Sequence, residues 1–153
     1  MSSFLADTNV LLRWADSNSP DQPLMASAIV GLRERGHVVF VAPQNLMEFW
    51  AVGTRPSTSR GGFGWSQSEA LKRLEDIERF FPILLEPRGI YGMWRHLIVS
   101  HGVLGVAVHD ARLVAVMQSC GVDRVLTLNG ADFRRYLWIA VVDPQEVQQL
   151  PWP

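Results

Sequence analysis

The sequence predicts an α/β fold, a three-layer α/β/α sandwich with a central parallel sheet. Short runs of β-branched and aromatic residues alternate along the chain with longer segments whose apolar residues recur at helical spacing. Such alternation is typical of a parallel sheet with helices on both faces. The 153 residues and the 48% apolar content suit one core, so we expect residues 1–153 to form a single domain.

The elements of the first half follow from apolar spacing and from helix end signals. Residues 4–7 form a short apolar run, and the helical spacing of Val10, Leu11 and Trp14 predicts a helix directly behind it. A second helix begins behind Asp21 and ends before Gly36. We therefore predict strands at 4–7 and 38–41 and helices at 8–15, 23–35 and 45–53.

Residues 55–65, rich in Gly, Ser and Arg, predict an irregular and mobile loop. Ser66 and Glu69 have the spacing of a capping box, which predicts a helix that starts there and runs to Phe81, before Pro82. We expect this helix to bury Leu71, Leu74, Ile77 and Phe81.

The second half repeats the alternation. We predict strands at 83–85, 124–128 and 138–142, helices at 88–101 and 109–119, and a short helical turn around residues 132–133. Glycines at 102 and 121 follow the two helices. The aromatic residues expected in the core are Trp14, Trp50, Phe80 and Phe81.

Composition excludes several classes of protein. No apolar run approaches the length of a membrane span, and the first residues lack the basic region of a signal peptide, so we expect a cytoplasmic protein with no membrane contact. Cys120 is the only cysteine, which excludes an internal disulfide and a cysteine-based zinc site.

Four acidic residues follow β-like runs within a few positions: Asp7, Glu48, Asp110 and Asp132. Loops that follow parallel strands meet at the carboxyl edge of the sheet, so these carboxylates are expected to converge there. Four converging carboxylates repel one another unless a cation lies among them, and Mg²⁺ or Mn²⁺ is the simplest candidate.

Structural explanations exist for the same acids. Asp7, Asp110 and Asp132 lie at predicted helix starts, where an aspartate is commonly an N-cap. Glu48 is harder to explain in this way, because apolar residues flank it on both sides.

The 15 acidic residues include these four, which leaves 11 acids against 14 basic residues. That excess either favours a phosphate backbone or is ordinary surface scatter.

Four segments together resemble the motifs of PIN-domain ribonucleases, in the family's order and over nearly the whole chain. Residues 5–12 read Leu-Ala-Asp-Thr-Asn-Val-Leu-Leu, and residues 45–49 read Asn-Leu-Met-Glu-Phe. Residues 109–115 read His-Asp-Ala-Arg-Leu-Val-Ala, and residues 126–133 read Leu-Thr-Leu-Asn-Gly-Ala-Asp-Phe. The size of the chain is similar to that of the VapC-like bacterial toxins.

The resemblance implies a metal-dependent endoribonuclease whose divalent metal is bound by the four acids. It implies a supporting role for Thr8, with Thr127 and Asn129 at the same edge. Many relatives carry an acid where this chain has Asn129, which places a second metal ion in doubt. It further implies an RNA substrate, a homodimer and a cognate antitoxin protein. We expect the antitoxin to bind in a groove beside the second helix and the helix at 66–81, and to place a basic residue among the acids.

Several residues keep two explanations. Arg55, Arg60, Arg134 and Arg135 either bind RNA phosphates or are ordinary surface residues. Phe63 and Trp65 either stack on unpaired bases or cover the edge of the core. His109 either touches the substrate or caps its helix.

Two other functions fit parts of the pattern. Phosphoacceptor receiver domains also place aspartates around Mg²⁺ at strand ends, but they need a lysine after a late strand, and the only lysine here is Lys72. A catalytically silent PIN scaffold is the other alternative, although all four acids are present.

Overall fold

The computed structural model describes residues 2–149 and contains a four-stranded, all-parallel sheet in the order β2-β1-β3-β4. Helices cover both faces of this sheet, which confirms the predicted α/β architecture. The elements in chain order are β1 (Ser3–Ala6), α1 (Thr8–Ala15), α2 (Gln22–Glu34), β2 (Val38–Phe40), α3 (Pro43–Thr54), α4 (Gln67–Phe80), α5 (Ile90–Ser100), α6 (Ala107–Ser119), β3 (Arg124–Leu126) and β4 (Ala140–Val142).

Strand β1 lies inside the sheet, paired with β2 on one side and β3 on the other. Successive side chains of a strand point to opposite faces, and here they enter two separate cores. Phe4 and Ala6 pack with α1 to α4, whereas Leu5 packs with α5 and α6. The chain therefore turns into α1 at the carboxyl end of a fully enclosed strand.

Helices α3 and α6 each begin two residues before the predicted start. Pro43 occupies the first turn of α3, where its missing N–H is no loss. The N-cap position of α6 is Val106, so Asp110 lies inside the first turn rather than at the cap. Asp132 ends a 3₁₀ turn (Gly130–Asp132) and makes no capping bond there. The N-cap explanation is thus wrong for both of these aspartates.

The strand predicted at 83–85 is wrong, since only an isolated bridge forms between Val41 and Ile83. Pro82 has no N–H to extend the ladder, and Leu85 turns outward, 86% exposed. The burial predicted for Leu71 and Phe80 is also wrong, because α4 buries Ile77 and leaves both of those side chains on the surface.

The segment 55–65 is irregular, as predicted, but its end is fixed to the core. Trp65 is buried, and Gly53 lies directly beneath its ring. A Cβ at position 53 would lie 2.4 Å from the indole, so only glycine permits this approach. None of the helices within residues 2–149 is long and apolar enough to cross a membrane.

Candidate active site

The four predicted acids line one open cleft of about 350 Å³ at the carboxyl edge of the sheet. Each comes from a different part of the fold. Asp7 follows β1, Glu48 lies on α3, Asp110 lies on α6, and Asp132 ends the 3₁₀ turn after β3. The parallel arrangement of β1 and β3 brings the first and last of these together across 125 residues of chain.

Asp7 is held most firmly. Its Oδ1 accepts a hydrogen bond from the backbone N–H of Thr8 at 2.8 Å, which makes it the N-cap of α1. Its Oδ2 accepts from the Thr127 hydroxyl at 2.8 Å and from the Asn9 amide at 3.1 Å. Burial raises the pKa of this carboxyl, and the bonds from Thr127 and Thr8 act against that rise.

Thr127 and Asn9 join the loop after β3 to the start of α1. The Thr127 oxygen accepts from the Asn9 amide at 3.2 Å and from the Asn129 backbone N–H at 3.0 Å. The side-chain Oδ1 of Asn9 in turn accepts from the Leu128 N–H at 3.1 Å. Thr127 thus lies at the edge where the sequence analysis placed it, whereas Asn9, which bonds to both Asp7 and Thr127, was missed.

Glu48 is oriented from two directions. Its Oε2 accepts from the Thr8 hydroxyl and its Oε1 from the Gln44 amide, both at 2.9 Å. The fully buried Asn45 donates to the Thr8 oxygen at 3.3 Å, and its own carbonyl accepts from the Ala42 N–H at 2.9 Å. The supporting role assigned to Thr8 therefore has a concrete form, a hydroxyl donated to Glu48.

Gln44 extends this network across the sheet edge to α6. Its amide also donates to the His109 carbonyl at 2.8 Å, and its own carbonyl accepts from Arg112 at 3.1 Å. Arg112 makes two further bonds of 3.0 Å to Glu86, one to each carboxylate oxygen. The two helices that carry Glu48 and Asp110 are consequently tied together beside the cleft.

The carboxyl of Asp110 lies within the electrostatic reach of the other three acids. Burial raises its pKa to about 6, with further increases from the nearby carboxylates and a small opposing effect of His109. The contributing carboxylates, in order of size, are those of Asp132, Asp7 and Glu48. The cleft is therefore an electrostatically unfavourable place for four negative charges, and a bound cation would relieve it.

The residues present fit a divalent cation by their donor chemistry. The lining supplies carboxylate, amide and hydroxyl oxygens, which hard cations such as Mg²⁺ prefer. Within residues 2–149, no three Asp, Glu, His or Cys side chains already form a group that could hold a metal ion. In the same range no group donates a hydrogen bond to Asp110 or Asp132. These two carboxylates are thus free to turn toward a cation, while Asp7 and Glu48 are held.

The structure separates the arginines that the sequence grouped. Arg55 and Arg60 are exposed on the 55–65 loop, and Arg134 lines another polar pocket beside Asp143 and Glu146. Arg135 is exposed between two buried aromatic residues. Among residues 2–149, the arginine that lines the acidic cleft is Arg13, which no motif of the sequence singles out.

Arg13 is positioned from within α1. Its guanidinium donates to the backbone carbonyl of Asn9 at 2.9 Å and lies 3.7 Å from the Asp21 carboxylate. Because every residue offers a backbone carbonyl, this bond leaves no pattern in the sequence that would identify Arg13.

No protein-family model and no curated protein matches the sequence. Solved structures do match. VapBC2 of Rickettsia felis, bound to a DNA fragment from its promoter, aligns with a TM-score of 0.66 at 13% identity, over 92% of this chain and 98% of that one. The chain has the PIN fold.

Two further structures with the PIN fold are similar over most of their length. VapC20 of Mycobacterium tuberculosis, a toxin that cleaves the sarcin–ricin loop, aligns with a TM-score of 0.61 at 15% identity, over 87% of this chain and 95% of that one. FitAcB of Neisseria gonorrhoeae aligns at 0.60 and 17% identity, over 93% and 98%. At this identity the likeness concerns the PIN fold.

Proposed function

We propose that this protein is a metal-dependent endoribonuclease of the PIN-domain family and the toxin of a toxin–antitoxin pair. One observation carries the proposal: Asp7, Glu48, Asp110 and Asp132 line a single cleft at the carboxyl edge of the sheet. The fold is shared with a toxin that cleaves the sarcin–ricin loop of RNA, which favours RNA as the substrate. The four acids are the catalytic residues in this proposal.

The same four acids would hold Mg²⁺ or Mn²⁺. When bound, a divalent ion lowers the pKa of a coordinated water and neutralises charge on the scissile phosphate. Residues of the chain itself hold two of these carboxylates in position. Thr8 and Thr127 fix the carboxylates of Glu48 and Asp7, so that these side chains need no reorganisation when RNA arrives.

Arg13 supplies the cationic side of the cleft. A phosphate backbone that enters a cleft of four carboxylates meets strong repulsion, and an arginine at the rim offsets part of it. Its guanidinium already has donors engaged with Asn9 and its remaining donors can bind a phosphate oxygen. We place Asn129 at the same edge, where its amide faces the cleft as a neutral residue.

The proposal includes an antitoxin that binds an apolar groove next to the cleft. The groove, about 490 Å³, lies between α3 and α4 and is lined by Pro43, Leu46, Met47, Trp50 and Leu74. Met47 is 69% exposed there and precedes Glu48 on the same helix. A segment bound in this groove can therefore place a basic side chain among the acids. The similar VapBC structures, which are complexes, favour such a partner.

The groove differs from the one expected beside α2. There, Arg33 of α2 donates to the Phe80 carbonyl and lies over the Phe81 ring, so the end of α4 is closed against α2.

We further propose that two copies of the chain pair and that the protein works in the cytoplasm. The exposed apolar residues Val99, Leu104 and Val106 would be covered in such a pair.

The test is cleavage of RNA by the purified chain in Mg²⁺, with the ends of the products sequenced. Asp110→Asn should abolish cleavage, and Glu78→Gln, an exposed acid on α4, should leave it unchanged. A chain that folds, binds Mg²⁺ and leaves all RNA intact would instead be a silent scaffold.

A further inference from the structure

One wall of the acidic cleft is formed by residues other than the four acids. Gly61 and Phe63 of the 55–65 loop line the cleft together with Asp7 and Glu48. A phenyl ring neither binds a metal ion nor donates a hydrogen bond. Its presence beside carboxylates therefore requires either a packing role or a ligand with an aromatic face.

Packing in this part of the core is accomplished by the neighbouring indole. Trp65 is 7% exposed and belongs to the buried cluster beneath the loop, in contact with Phe49 at 5.3 Å between ring centroids. Arg73 covers it from outside, 4.3 Å from the ring centroid. Phe63 is only partly buried and lies at the margin of this cluster. Part of the Phe63 side chain is therefore accessible at the cleft.

The backbone holds Phe63 in place. Its N–H donates to the Val52 carbonyl at 3.2 Å, and the next residues are fixed by bonds from Gly64 to Arg55 at 2.8 Å and from Trp65 to Gly53 at 2.9 Å. The Phe63 ring meets the Trp65 ring edge to face, 5.2 Å between centroids at 64°. A ring supported from behind and at its backbone loses little conformational entropy when a ligand stacks on it.

We propose that Phe63 is a stacking platform for an unpaired nucleobase, which selects single-stranded or looped RNA at the acidic cleft. The inference rests on the proposed ribonuclease function and adds a specificity residue to it. Every base has a π-face, and an aromatic side chain beside the phosphate path is the usual way to bind bases that are not paired. Arg13, on the same cleft, then takes a phosphate adjoining the stacked base.

The inference predicts a binding effect that is separate from cleavage. The probe is a seven-nucleotide single-stranded oligouridylate with a central 2-aminopurine, whose fluorescence falls when the base stacks. Titration uses the full chain carrying Asp110→Asn, in Mg²⁺, so that the probe is not cut. We expect the probe to bind with quenching, and the same probe in a duplex, where the base is already stacked and quenched, to show no further change on addition of the protein.

Phe63→Leu should weaken binding of the probe about 5- to 150-fold, the range expected when one base-stacking aromatic side chain is lost, and should remove the quenching. Phe63→Trp should keep both. Phe80→Leu replaces an exposed aromatic residue of α4 outside the cleft and is the matched control. Circular dichroism and the melting temperature establish that each variant folds.

Two results overturn the inference: absence of quenching with the unsubstituted Phe63, or equal binding and quenching by Phe63→Leu. A melting temperature lowered in Phe63→Leu without any change in binding would assign the residue to packing alone. Cleavage by the chain with all four acids intact is measured in parallel. If no RNA is cleaved, the proposed function fails, whereas unchanged binding by Phe63→Leu refutes only the stacking role.

Discussion

The Thr8 hydroxyl donates a 2.9 Å hydrogen bond to the Glu48 carboxylate, so the first residue of α1 orients an acid on α3. Thr8→Val keeps the shape and removes the hydroxyl, which also leaves the Asn45 amide without its acceptor. We expect a loss of about 1–3 kcal/mol in the free energy of unfolding. We also expect a fall in kcat of at least tenfold, because Glu48 loses its orientation. Thr8→Ser, which keeps the hydroxyl, should retain most of the activity, and equal activity in both variants would contradict this role.

Asp110→Asn should fold, gain stability and lose activity. It removes a charge that the other carboxylates repel, and no hydrogen bond to it is lost within residues 2–149. Asp7→Asn is a poorer probe, since it would place an NH₂ group among the donors from Thr8, Asn9 and Thr127. Chemical denaturation in EDTA and cleavage in Mg²⁺ measure the two effects. Wild-type cleavage by a folded Asp110→Asn chain would show the site assignment to be wrong.

The stability of the metal-free chain should fall as pH rises through about 6. Asp110 has its pKa raised from 3.8 to about 6 in the folded state, so the folded protein holds this proton more tightly than the unfolded chain. Below pH 3.8 Asp110 is protonated in the folded and in the unfolded state, so it costs no stability. The free-energy cost of ionising Asp110 in the folded state grows between pH 4 and 6 and reaches its full size above pH 6. The stability gain from Asp110→Asn, measured in EDTA, should follow the same course, and a gain that is constant with pH would contradict it.

Divalent metal should both activate and stabilise the protein. Because the folded cleft gathers the ligands, Mg²⁺ or Mn²⁺ should raise the melting temperature, by an amount equivalent to about 2.7 kcal/mol at one hundred times the dissociation constant. The affinity should decrease at low pH, since the carboxylates must be ionised. The Asp110→Asn chain should show a smaller shift. Cleavage that continues undiminished in excess EDTA would exclude the metal mechanism.

A small protein from the same cells should co-purify with this chain and block cleavage. Met47→Asp places a charge in the α3–α4 groove and should release that partner while cleavage persists. Val30→Asp, a matched change at an exposed apolar residue of α2, should leave the complex intact. Changing the partner's inserted Arg or Lys to Glu should restore activity. Recovery of an active chain with no inhibitor from its own cells would refute the toxin role and leave the nuclease proposal standing.

Local signals in the sequence predicted local structure well. The bounds of α1 and the capping box at Ser66 agree with the structure, because both depend on residues within a few positions of each other. The convergence of the four acids was also predictable, since parallel strands place their following loops at one edge. The strand at 83–85 failed because apolar composition alone does not reveal that a proline blocks the ladder.

Further residues of the hydrogen-bond network around the acids, beyond Thr8 and Thr127, could not be predicted, because their partners are distant in the chain. Asn9 bonds to residues 118 and 119 positions away, and Arg112 reaches Gln44 across 68 positions. The polarity of Asn45 gave no indication that it is fully buried beneath Thr8. Tertiary contacts decide such roles, and no local pattern encodes them.

The position of β1 between β2 and β3 has a consequence for a chain that is still on the ribosome. Asp7 is synthesised 120 positions before Thr127, the residue after β3 whose hydroxyl completes its hydrogen bonding. Asp132 emerges later still. A nascent chain therefore carries no complete acid site until the turn after β3 has been synthesised, however early β1 is made.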